Sequence, residues 1–138
     1  MLTIDRTIQI SAPVDAVFRC YADVQSWPDW DSEVTVVDLP QGLVPGATGW
    51  LKPRQGPKAR LVVTEVEQDR SFTIQSRLPL CEMRFGHDLV GDGGVTTVRH
   101  WVSFVGPLAP LFRHLIGRSI AATLPATLAG LKAACEAP

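Results

Sequence analysis

Ile8-Gln9-Ile10-Ser11-Ala12-Pro13-Val14-Asp15-Ala16-Val17-Phe18-Arg19-Cys20-Tyr21-Ala22 is the stretch whose reading decides the fold. Leading into it, Leu2, Ile4, Ile8 and Ile10 alternate with Thr3, Asp5, Thr7 and Gln9, which is the period of a strand with one wet face. At Ser11 the period changes. Ser11 is placed to cap a helix and Pro13 to sit in its first turn, after which Val14, Val17, Phe18 and Tyr21 share a face at helical spacing. That helix should end near Ala22. Val24 to Trp30, interrupted by Pro28, reads as a second short helix or turn.

Outward from this corner the chain becomes strand-rich. Val34 to Leu39 and Thr48 to Lys52 are extended runs separated by Gly42, Pro45 and Gly46. Leu61, Val63 and Val66 face Phe72 and Ile74 across a charged turn at Gln68-Asp69. Cys81 to Val90 and Val95 to Phe104 flank Gly91-Asp92-Gly93-Gly94, the strongest turn signal present. After Gly106-Pro107 the period is helical again, and Leu108, Leu111, Phe112, Leu115, Ile116, Ile120, Leu124, Leu128 and Leu131 form one stripe. This predicts a single long terminal helix, kinked at Pro125 because an interior proline loses a backbone hydrogen bond. The order gives an α+β domain whose antiparallel sheet curls around the last helix.

Composition narrows the function. The 138 residues, 46% apolar and 20% charged, suit one domain over 1–138, and a formal charge of -1 argues against nucleic acid or anionic lipid as a partner. Cys20, Cys81 and Cys135 lack metal or redox spacing and read as small buried hydrophobes of a reducing compartment, so neither a metal nor a cofactor is expected. The apolar run from Trp101 to Ile116 is broken by Gly106, Pro107, Pro110, Arg113 and His114, which speaks against stable membrane insertion and for a soluble, cytoplasmic protein.

With these elements in place the chain resembles the START and Bet v 1-like (SRPBCC) superfamily, in particular its polyketide cyclase/dehydrase-like branch. The resemblance is carried by Ile10 to Pro13 with Val17-Phe18, by Asp23, Trp27 and Trp30, by Gly106-Pro107-Leu108 with Leu111, and by Leu131-Lys132. It implies a helix-grip fold: about seven curved strands around a long carboxy-terminal helix, two short helices after the first strand, and a hydrophobic cavity between sheet and helix. It implies no fixed catalytic residues.

Candidate chemistry follows from which polar groups face inward. If Gly91 to Gly94 form the loop, Val90 faces Val95, and Cys81, Met83, Phe85, His87 and Leu89 share the inner face with Thr96, Val98, His100, Val102 and Phe104. His87 then lies opposite Val98 and His100 opposite Phe85, making the imidazoles diagonal neighbours roughly 7 to 8 Å apart at the backbone. Both are expected to be neutral, able to anchor a ligand's carbonyl or hydroxyl, or to act as general base. Met83, Phe85, Val102 and Phe104 would hold its apolar body with Cys81 and with Phe112, Leu115 and Ile116 of the terminal helix. Trp27 and Trp30 would plug or lid the cavity, and Trp50 would line it or its mouth. Glu65 shares a face with Leu61 and Val63 unless a bulge near the turn rotates it outward. Arg60 and Arg77 should cover the outer face, His114 should be half-exposed on its helix, and Trp101 should lie outside as a possible dimer contact. The leading expectation is binding of a lipid-like or aromatic, polyketide-like molecule by a monomer or homodimer. The alternative is a polyketide cyclase or dehydratase using His87 or His100 as base, and a third class is an interaction module that fills its own cavity.

Overall fold

Two glycines set the register of the two longest strands. In the computed structural model, which describes residues 2–137, Gly93 and Gly94 take φ of 59° and 86°. This is the double left-handed turn that joins twisted antiparallel strands with two residues. The strands around it therefore run to Asp92 and restart at Val95, two residues closer to the turn on one side than the spacing predicts. The inward and outward sets keep their faces, because the shift is even, but the pairing changes: His87 lies directly opposite His100.

The elements run β1 (Leu2–Ile10), α1 (Val14–Ala22), a short 3-10 turn (Val24–Ser26), α2 (Trp27–Trp30), β2 (Val34–Asp38), β3 (Thr48–Pro53), β4 (Ala59–Glu67), β5 (Ser71–Leu78), β6 (Cys81–Asp92), β7 (Val95–Val105), α3 (Ala109–Leu115) and α4 (Gly117–Glu136). The seven strands form one antiparallel sheet in the order β1-β7-β6-β5-β4-β3-β2, the helix-grip arrangement. At the first corner Pro13, not Ser11, occupies the cap position of α1, and no side chain caps it. The Ser11 N–H goes instead to the Glu136 carboxylate at the far end of the chain, 2.7 Å away. Lys132 of α4 likewise donates to the Gln9 carbonyl at 3.2 Å. α4 thus runs along the outermost strand and occupies backbone groups that an edge would otherwise leave open.

The terminal helical region is two helices, not one. The break falls at Ile116 (φ -110°, ψ -35°), whereas α4 passes through Pro125, whose ring lies on the exposed side. α2 meets α4 at Gly130: a side chain there would place its Cβ 1.9 Å from the Trp30 carbonyl oxygen. Apolar packing divides in two. One cluster joins Phe18, Tyr21, Trp27, Phe72, Leu128 and Leu131 at the α1–α2 end. The other joins Ile4, Cys81, Met83, Val102, Phe104 and Ala109 beneath α3.

Because the obstruction at Gly130 is backbone rather than a movable side chain, Gly130→Ala is expected to cost about 1–3 kcal/mol by overpacking. Denaturant unfolding of the variant against the parent checks this.

Candidate functional site

A row of neighbouring residues crosses the inner face of the sheet. Strand pairing sets Arg6 beside His100, His100 beside His87, His87 beside Phe72, and Phe72 beside Val66. The His87 ring stacks on Phe72 at 3.9 Å between centroids with 8° between planes, and on its other side meets His100 at 4.3 Å. Tyr21 of α1 packs edge-on against both Phe72 and His87, at 4.9 and 5.1 Å.

The two imidazoles differ in what they touch. His87 is buried and its Nδ1 lies 3.2 Å from the Phe72 carbonyl. A carbonyl only accepts, so in the neutral ring Nδ1 carries the hydrogen and Nε2 keeps the lone pair. His100 keeps a little residue surface, but both of its ring nitrogens are sealed and have no protein partner among the described residues. Burial holds the His87 imidazolium pKa well below the usual range, reinforced by His100 and only partly offset by the Phe72 carbonyl. Burial alone lowers that of His100 to about 4. Near pH 7 both rings are neutral, and a neutral imidazole can polarise a carbonyl through N–H or take a proton through its lone pair.

Further along the inner face, apolar residues are incompletely covered. Phe85 on β6, Phe112 on α3, Ile116 at the helix break and Ile120 on α4 are half-buried against the second core cluster. Cys81, Met83, Val102 and Phe104 lie in that cluster, fully buried.

Other expected site residues fall elsewhere. Trp50 is opposite Arg60 on the outer face, with the Lys58 ammonium 3.9 Å from its ring centre. It cannot turn inward, because β3 presents Gly49 and Leu51 to that side. Leu115 is 62% exposed, since the break at Ile116 leaves only Phe112 and Ile116 of that turn facing the sheet. Trp27 is core, donating its indole N–H to the Tyr21 carbonyl at 2.9 Å. Trp30 is half-buried against Tyr21, its indole nitrogen sealed without a protein partner among the described residues. A bulge between Val63 and Glu65 turns Glu65 outward and leaves Val66 opposite Phe72. Arg60 and Arg77 are exposed, as is His114. Trp101 lies outside and covers Gly86, donating to Asp88 at 3.1 Å.

Two grooves indent the surface away from the histidines. One, of about 490 Å³, is bordered by Cys20, Asp23, Asp29, Trp30 and Cys135, so two cysteines distant in sequence meet at the α1–α4 seam. The other, of about 540 Å³, lies around Trp50, Lys58 and Arg60.

Among the described residues, no helix is long and apolar enough to cross a membrane. The fold and the inner-face histidines define a helix-grip domain with a polar pair set in an apolar interior. The chain belongs to the family described as polyketide cyclase/dehydrase and lipid transport, whose model matches residues 1–136. Among solved structures it is similar to the Zhui aromatase/cyclase from Streptomyces sp. R1128 (TM-score 0.78, 16% identity, 98% of this chain and 93% of that one). It is similar too to a START superfamily protein from Mycobacterium smegmatis (0.75, 14%, 97% of each). A third is the di-domain ARO/CYC BexL from the BE-7585A biosynthetic pathway (0.73, 18%, 99% of this chain and 50% of that one). A search of curated proteins finds no match.

The histidines make stability fall in acid. Their folded pKa values are depressed, so the unfolded chain binds more protons below its ordinary value of 6.5. The stability they contribute is complete above that pH and is lost as pH falls towards 4. For His100 the full loss is worth roughly 3 kcal/mol. His100→Phe should be at least as stable as the parent at pH 7, since it removes two unpartnered polar atoms, and should flatten the pH dependence. Urea unfolding at pH 7 and pH 5 measures both.

Proposed function

We infer that the inner face beside His87 and His100 binds an apolar small molecule bearing a carbonyl or hydroxyl. The observation that carries this reading is His100. A neutral imidazole always has one donor and one acceptor, and in this protein neither finds a protein partner among the described residues. A buried polar ring of this kind is costly unless something satisfies it. A ligand oxygen beside an aromatic or lipid-like body would do so, while Phe85, Phe112, Ile116 and Ile120 take the body.

A second reading, catalysis of cyclisation or dehydration, is favoured by one detail. The Phe72 carbonyl orients His87 so that its Nε2 lone pair is free, which suits removal of a proton from carbon next to a carbonyl, with His100 polarising that carbonyl. The family description and the two cyclase structures support this reading as well as the first.

A thermal-shift panel of aromatic ketones, phenols and fatty acids tests binding. A true ligand at a hundredfold excess over its Kd stabilises by about 2.7 kcal/mol. His100→Phe should lose the preference for oxygenated compounds over matched hydrocarbons, and no shift with any compound would sink the reading. For catalysis, His87→Ala should abolish turnover of a poly-β-ketone substrate while His100→Phe weakens it.

A further inference from the structure

Two free thiols meet across the seam between the first helix and the last. Cys20 near the end of α1 and Cys135 in the last turn of α4 are both half-buried, border the same groove and pack on the first core cluster. The sulfurs act on one another. Burial pushes the Cys135 thiol pKa up, and the Cys20 thiol adds to that shift by hydrogen bonding and by charge. The remaining cysteine, Cys81, is buried in the second cluster and cannot join them.

A thiol pair can hold a metal ion or form a disulfide. Asp23 and Asp29 border the same groove, yet among the described residues no group of three His, Cys, Asp or Glu side chains is placed to hold a metal. Oxidation needs only the two sulfurs. The last turn of α4 is otherwise tied to the rest of the domain by exposed polar contacts, Glu136 with the Ser11 N–H and Lys132 with the Gln9 carbonyl. Water competes with both of these.

We propose that Cys20 and Cys135 are an oxidation site, which a peroxide converts to a disulfide joining α1 to the end of α4. Cys20 attacks one peroxide oxygen as thiolate, the O–O bond breaks, and the departing hydroxide takes up the thiol's proton as water, leaving a sulfenic acid. The Cys135 sulfur then displaces the hydroxyl from that sulfenic sulfur, and its proton leaves with the hydroxyl as a second water. Two thiols give up two electrons, and the peroxide takes both. Cys135 is the resolving partner because its surroundings hold its proton in place. The bond closes a loop over nearly the whole chain, where a cross-link restricts the unfolded state most. It also fixes the helix that carries Tyr21, the neighbour of Cys20, against His87.

The test treats the full chain, reduced and then freed of reductant, with hydrogen peroxide, and follows intact mass, peptide maps and melting. Expected are the loss of two hydrogens, a linked pair of peptides carrying Cys20 and Cys135, and a Tm roughly 10 °C above the reduced form. Dithiothreitol should reverse all three. Cys135→Ser should stop at a sulfenic acid on Cys20, trapped by dimedone, without the rise in Tm. Cys20→Ser should form no link and, at the same dose, little sulfenic acid. A disulfide that joins two chains or includes Cys81 overturns the proposal. So does oxygen added to the parent without a link, or a Cys20–Cys135 link that leaves the Tm unchanged or lowers it.

Discussion

Because Gly93 and Gly94 both adopt left-handed backbone, β6 and β7 close without a spare residue, and every pairing between these two strands follows from that closure. A two-residue turn leaves no slack in register. It brings His87 and His100 face to face, and the pairing of the flanking strands then extends the row to Arg6 on one side and through Phe72 to Val66 on the other. A four-residue loop would have kept both histidines on the same face and separated their rings. Contact between two imidazoles is thus a consequence of turn conformation, not of the histidines themselves.

What surrounds the pair explains its chemistry. Stacking on Phe72 and the edge contact from Tyr21 exclude water from His87, and the cost of burying charge keeps it neutral. The Phe72 backbone supplies the one polar contact that orients this ring. His100 has no equivalent contact within the described residues, so the two rings are chemically inequivalent although strand pairing makes them neighbours. Such a division, one ring fixed and one left to engage something else, is as useful to a binder as to an enzyme. For that reason the fold does not choose between them.

Much of this was legible in the residues. The alternation of Ile4, Ile8 and Ile10, the Ser-Ala-Pro corner and the six strand runs led to the right architecture, and parity put both histidines inside. Arg6 is also visible as the charged residue interrupting the inward set of β1. Trp50 and Leu115 lie outside the expected site because apolar character says that a side chain wants cover and not which cover it finds. A lysine covers Trp50 from outside, and Leu115 sits beyond a helix break that a continuous apolar stripe conceals.

By itself the sequence determined the class of fold, the strand faces and the candidate histidines, since these rest on periodicity and on local backbone preference, which neighbouring residues set. Tertiary structure alone decided that His87 meets His100, that Phe72 and Tyr21 enclose His87, that Cys20 and Cys135 share a seam, and that the Leu80 carbonyl meets the Leu108 N–H where α3 begins. Those are contacts between residues distant in the chain. They depend on register, on a bulge at Glu65 and on a helix break at Ile116, each a shift of one or two residues that leaves the hydrophobic pattern almost unchanged while moving side chains to different partners.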